Sequence, residues 1–177
     1  MTDAKEYGKA LFTLAKEGDA TEAIARDVSL ALDAFKANPD YARLLDTPAI
    51  TKEERVALVD ESFSSLHEYL VNLIKIMAEG HTVHAFRSAA EEYLALYDEY
   101  CGIVRVEAVS AVAMTPEQIE KLEKKLSEML GGRAIVKNTT DPSILGGMKL
   151  RYGATQLDGS VRTRLDKLES ALKSTVI

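Results

Sequence analysis

The chain has a single cysteine, Cys101, so no intrachain disulfide can staple it. No apolar signal segment opens it, and with the lone thiol this places the expected home of the protein in a reducing, cytoplasmic compartment. Long apolar runs are also missing: the stretch from Tyr69 to Met77 is interrupted by Lys75, and nothing is apolar enough for long enough to span a bilayer. Neither absence costs stability, because a chain of 177 residues buries roughly 70% of its unfolded surface and needs no metal or bridge to hold a core. One or two domains fit this length.

Basic charge is scarce in the first part. Residues 1–102 carry 10 Lys/Arg against 19 Asp/Glu, whereas residues 103–177 carry 12 against 9. A segment at −9 is a poor nucleic-acid surface, since such affinity comes from neutralising phosphates. Phosphate-cradling loops are missing as well, because the doublets Gly131-Gly132 and Gly146-Gly147 lack the wider glycine spacing and the Lys-Ser/Thr ending.

Metal and nucleophile signals fail in the same way. His81 and His84 stand three apart, but no second Cys or His pair completes a tetrahedral set. His67-Glu68 starts like a zinc-protease helix, yet Val71 occupies the place of the second histidine. Cys101 has no histidine in reach along the sequence and reads as a small apolar residue. Glu91-Glu92 and Asp98-Glu99 are neighbours along a helix, so their carboxylates diverge instead of meeting on one atom. Asn138-Thr139-Thr140 matches a glycosylation acceptor, which is idle without a secretory signal. No catalytic residue, metal or cofactor is expected.

Helical periodicity is what the first 102 residues do contain. Tyr7, Ala10, Leu11 and Leu14 share a face that ends near Gly18, and Ile24, Val28, Ala31 and Phe35 form the next. Asn38-Pro39 reads as a cap and first helical position before Tyr41, Leu44 and Leu45. Thr51 with Glu54 makes a capping box ahead of Val56, Val59 and Phe63. Leu70, Leu73, Ile74 and Met77 precede Gly80, and Val83, Phe86, Ala90, Leu94 and Tyr97 follow. These predict a six-helix bundle over 1–102.

The period changes at Gly102. Ile103 to Val112 is rich in β-branched residues with Arg105 and Glu107 alternating, as in a half-buried strand. Thr115 and Gln118 form a second capping box around Pro116, opening a helix with Ile119, Leu122, Leu126 and Met129 on one face. Strands are expected at Ala134–Val136 and through Met148, Leu150 and Tyr152, with Asp141-Pro142 as a turn. A cap at Asp158-Gly159-Ser160 then predicts a last helix with Val161, Leu165, Leu168 and Leu172. The expected class is α+β, a six-helix bundle at 1–102 followed by a small α/β domain at 103–177.

The stretch from Asp141 to Leu168 resembles the signature of the F-type ATP synthase delta subunit family, called OSCP in mitochondria. It combines Gly147 within a strand, Gly153 at a turn, and Leu157-Asp158-Gly159-Ser160-Val161 leading to Arg162 and Leu165. Tyr7-Gly-Lys-Ala-Leu-Phe is similar to the family's opening motif, and Asn72-Leu-Ile-Lys-Ile-Met-Ala-Glu-Gly to its fifth-helix motif. The resemblance implies a non-catalytic peripheral-stalk subunit, one copy per complex and monomeric alone, that joins the catalytic alpha/beta head to the b-type stalk. It implies a groove for an alpha N-terminal helix at Tyr7, Ala10, Asn72 and Ile76, floored by the small residues Gly8 and Ala10. It also implies stalk-binding or structural roles for Gly147, Gly153, Asp158, Ser160, Arg162 and Arg164. The implied location is the cytoplasmic face of a bacterial plasma membrane, reached only through the complex. Gly8 departs from the family's usual alanine, a change worth about 1 kcal/mol of helix propensity. The rival reading is an RNA-binding helical module of the NusB type, since fold alone does not dictate function.

Overall fold

Two capping boxes show how local chemistry starts helices in this chain. Thr51 Oγ1 accepts from the Glu54 N–H while the Glu54 carboxylate accepts from the Thr51 N–H, and Thr115 with Gln118 repeats the arrangement. Each satisfies two of the N–H groups that a helix start leaves without partners. The computed structural model describes residues 4–144, 146–153 and 155–158. Within them lie seven α-helices, one short 3₁₀ turn at Val83–Ala85 and four strands, an α+β protein.

The helices are α1 (Ala4–Glu17), α2 (Thr21–Ala37), α3 (Pro39–Asp46), α4 (Lys52–Phe63), α5 (Glu68–Glu79), α6 (Phe86–Cys101) and α7 (Pro116–Leu130). The strands are β1 (Ile103–Ser110), β2 (Arg133–Thr140), β3 (Met148–Tyr152) and β4 (Thr155–Asp158). The chain divides into two compact units, Met1–Tyr97 and Asp98–Ile177.

In the first unit, α1 to α6 contribute to one buried cluster that includes Leu11, Ile24, Leu45, Val59, Ile74, Met77, Phe86 and Tyr93. Aromatic rings thicken it: Phe35 lies 5.4 Å from Phe63 and 5.0 Å from Phe86, centroid to centroid. Tyr93 is fully buried, and its hydroxyl donates to the Thr21 carbonyl at 2.9 Å. Gly8 sits where α1 crosses α6. A Cβ added there would lie 2.4 Å from the Ala89 carbonyl oxygen, so packing requires glycine at this position.

Periodicity misses one inward residue of another kind. Arg55 is 5% exposed, and its guanidinium donates to the carbonyls of Ile50 (2.9 Å) and Ala78 (3.2 Å). It ties α4 to the end of α5 and to the loop before α4. Asn38 also differs from expectation: its amide donates to Ala34 O at the end of α2 and makes no side-chain cap for α3.

In the second unit the strand order is β2-β1-β3-β4. β1 and β2 are parallel, with Ile103 opposite Arg133 and Ser110 opposite Thr140, and the other two pairings are antiparallel. α7 connects the parallel pair, as such a pair requires a crossover. It closes the free edge of β2 with side chains, since Ser127 Oγ accepts from the Ala134 N–H and the Glu123 carboxylate from the Val136 N–H, both at 2.8 Å. Among the described residues, the core of this unit is formed by Val106, Ala108, Leu126, Ala134 and Val136.

Several expectations are corrected in this unit. β1 stops at Ser110, β2 extends over eight residues, and the strand β4 lies where the sequence predicts a turn into a helix, with Asp158 in it. Met129 is 77% exposed, because α7 rolls to bury Leu126 and leaves Met129 off the inward face. Gly147 lies in a bend before β3 at φ +81°, not within a strand. Gly153 does fall in the β3–β4 turn, at φ +52°. The helix expected after Asp158, together with Ser160, Arg162 and Arg164, lies outside the described residues.

Candidate partner-docking surfaces

α1 and α5 are neighbours, and each spends its strongly apolar face on the core. α1 buries Gly8, Leu11 and Ala15, and α5 buries Leu70, Val71, Leu73, Ile74, Met77 and Ala78. What remains outside is informative. On α1, Tyr7 is half-buried, Ala10 is exposed, and Leu14 is 48% exposed. On α5, Asn72 is exposed and Ile76 is 56% exposed. The spacings 7, 10, 14 and 72, 76 keep each set on one side of its helix.

Periodicity assigns Leu14 to the core, and the structure places it instead in line with Tyr7 and Ala10. The signal is present in the sequence, since a residue four after Ala10 shares its face, but periodicity cannot say which apolar stripe faces inward. Gly8 leaves this surface, because its contact is with α6. Lys5 and Lys9 flank the same helix and reach Glu92 of α6 at 3.6 and 4.0 Å, which fixes α1 laterally.

The residues weighed for chemistry are engaged elsewhere. The Asp46 carboxylate accepts from the backbone N–H groups of Val83 (2.8 Å) and His84 (2.9 Å) and meets His84 Nδ1 at 2.7 Å. His81 Nδ1 lies 2.9 Å from the Asp46 carbonyl oxygen, so both histidines pin the α5–α6 connection to the end of α3. His67 Nδ1 accepts from the Tyr69 N–H as a helix cap. Glu91 pairs with Arg87, Glu92 with Lys5 and Lys9, and Asp98 with Arg105, so the adjacent carboxylates do diverge. Cys101 is exposed. Among the described residues, no group of three or more His, Cys, Asp or Glu is placed to hold a metal ion. No helix among them is long and apolar enough to cross a membrane.

Asn138 is absorbed into the fold of the second unit. Its Oδ1 accepts from the Met114 N–H at 2.9 Å, and its amide donates to Ala108 O (2.9 Å) and Ser110 Oγ (2.8 Å). In the turn after β2, hydrogen bonds from Ser143 hold the Asp141 carboxyl below its ordinary value. Asp158 ends β4 beside Lys149, 3.7 Å away.

These features define an α+β protein whose candidate site is a surface on two neighbouring helices, α1 and α5. The chain belongs to the ATP synthase delta (OSCP) subunit family, whose model matches residues 4–172. It is 31% identical over 170 residues to the ATP synthase subunit delta of Lactobacillus johnsonii, covering 96% of this chain and 93% of that one. The corresponding protein of Clostridioides difficile is 29% identical over 175 residues, covering 98% and 97%. One chain of the Toxoplasma gondii mitochondrial ATP synthase hexamer, solved by cryo-EM, superposes with a TM-score of 0.74 at 22% identity, covering 97% of this chain and 98% of that chain. At that identity the superposition speaks for the fold.

Proposed function

We propose that this chain is the non-catalytic peripheral-stalk subunit that joins the alpha/beta head of an F-type ATP synthase to its b-type stalk. The role is mechanical: while the rotor turns, the stator has to resist slipping, so slow dissociation matters and turnover does not. Residues 1–102, as a six-helix bundle, receive an alpha N-terminal helix on the α1–α5 surface. Residues 103–177 meet the b subunits, with Gly147, Gly153, Asp158, Ser160, Arg162 and Arg164 in the segment that contacts or shapes that interface. One copy serves each complex, at the cytoplasmic face of a bacterial plasma membrane, and reaches the membrane only through its partners.

The observation that carries this reading is the pair Leu14 and Ile76, large aliphatic side chains left in solvent on adjacent helices. Exposed apolar side chains of this kind can anchor an amphipathic helix, and on α1 the small, exposed Ala10 stands one turn before Leu14. The RNA-binding alternative finds no support in a segment that carries −9. Ala10→Asp tests the reading, because Ala10 is exposed and the change spares the core. Calorimetry with a synthetic peptide of the alpha N-terminal helix should lose its binding signal while circular dichroism stays unchanged. Equal affinity for both forms would remove the α1–α5 surface from the account.

A further inference from the structure

Residues 1–102 carry −9, yet a cleft of about 490 Å³ among them is bordered mainly by cations. It lies between the end of α2, α3 and the 3₁₀ turn that leads into α6. Its apolar lining is Leu32 and Phe35 of α2, Ala42 of α3, Val83 of the turn and Phe86 of α6. Lys36 of α2, Arg43 of α3 and Arg87 of α6 stand around that lining, one cation from each helix. Clefts of about 300–1,000 Å³ with an apolar lining and a few polar groups are the usual size for small-molecule ligands.

The carboxylate that lines the cleft, Asp46, is already committed. It accepts from the N–H groups of Val83 (2.8 Å) and His84 (2.9 Å) and meets His84 Nδ1 at 2.7 Å. Those bonds fix the wall between α3 and the 3₁₀ turn, so the cleft is formed before any ligand enters and little ordering is left for binding to oppose. The cations are held more loosely. Lys36 reaches Asp33, Arg43 reaches Asp40 and Arg87 reaches Glu91, each within its own helix and with both side chains more than half exposed. Exposed pairs of this kind contribute little, so a ligand can take over the cation, and Asp33, Asp40 and Glu91 do not line the cleft.

Guanidinium groups bind carboxylates with paired N–H donors, and the apolar lining asks for hydrocarbon. Cations from three helices around one opening suit a single compact head group. A monoanion fits better than a phosphate dianion, because the Asp46 carboxylate stands in the same wall. Nucleic acid would gain nothing from Leu32, Phe35 and Ala42.

We infer that this cleft binds a small amphiphilic carboxylate, its head held by Lys36, Arg43 and Arg87 and its aliphatic body laid on Leu32, Phe35 and Ala42. The bound molecule braces α3 against the start of α6. This site is separate from the α1–α5 surface and does not depend on the stator role.

The test titrates the full chain with octanoate by calorimetry, with octanol and acetate as ligands that lack the head or the body. Octanoate should saturate one site, and octanol and acetate should bind at least about tenfold more weakly. The variant Lys36→Gln, Arg43→Gln, Arg87→Gln should lose about tenfold in octanoate affinity, whereas Arg43→Lys with Arg87→Lys should keep most of it. Ala42→Trp, which fills the cleft and leaves the cations in place, should also lose binding. Unchanged circular dichroism and melting of the free variants report that they fold. In the wild type, octanoate should slow hydrogen exchange at the amides of Val83 and His84. Equal affinity for octanol and octanoate would overturn the inference, and so would a triple variant that binds octanoate as tightly as wild type. Octanoate binding that is lost in Ala10→Asp and kept in the triple variant would place the ligand on the α1–α5 surface and overturn it. An alpha peptide that binds two per chain, and one per chain in the triple variant, would identify a helix as the occupant and overturn it as well.

Discussion

The two units solve the problem of a stable interior in opposite ways. Residues up to Tyr97 share one large apolar cluster with interlocked rings, and most polar contacts there lie at helix ends. Among the described residues from Asp98 onward, five buried apolar residues form the cluster, and side-chain hydrogen bonds to backbone groups fasten strands and loops. Asn138, Glu123 and Ser127 hold backbone groups that the small sheet cannot pair by itself. Size explains the contrast. A large core gains enough from burying apolar area to fix its helices, whereas a small one depends on satisfying each polar group, because every unpaired one costs about 1–3 kcal/mol.

The sharpest way to break this comparison is Arg55, the buried charge among the described residues of the first unit. Arg55→Ala removes the donors to Ile50 O and Ala78 O and leaves a cavity. It should cost about 3 kcal/mol, read as a lower denaturation midpoint. A loss under about 1 kcal/mol would show that apolar packing alone carries that unit. Gly8→Ala comes next, at about 2 kcal/mol, because the gain in helix propensity is smaller than the cost of a Cβ 2.4 Å from the Ala89 carbonyl. If the variant is more stable than wild type, α1 and α6 can separate at no cost.

Asn138→Ala addresses the second unit and should cost about 1.5 kcal/mol. Hydrogen exchange should show faster opening of β1 and β2 while amides of α1 to α6 keep their protection. Uniform acceleration across both units would erase the distinction drawn between them. The smallest effect is acid dependence at the start of α4. Hydrogen bonds from the Thr51 N–H, and then from its hydroxyl, lower the Glu54 pKa in the folded chain. A lowered folded value means stability that is present above the ordinary carboxylate pKa and lost as pH falls through the folded one. Glu54→Gln should therefore lower stability slightly at neutral pH and flatten the acid arm, the two proteins converging in acid. An acid arm identical to wild type would show that the box contributes no pH dependence.

Much of the candidate site is legible in the order of residues. Tyr7, Ala10, Asn72 and Ile76 are singled out by the resemblance of the motifs around them, whereas helical spacing by itself assigns Tyr7, Ala10 and Ile76 to the core; Ala10 and Ile76 lie exposed. Leu14 is visible as an apolar residue but not as an exposed one. Its neighbours Leu11 and Ala15 compete for the inward position, and only the packing of α1 against α5 and α6 decides between them.

Helix starts, helix faces and the change of period at Gly102 are determined by the sequence itself, because caps and periodicity act within one or two turns. The tertiary structure alone decides the parallel pairing of β1 with β2, the strand β4, the burial of Arg55 and the need for glycine at position 8. Each depends on groups distant along the chain meeting in space. No local preference of a residue reports what will stand opposite it.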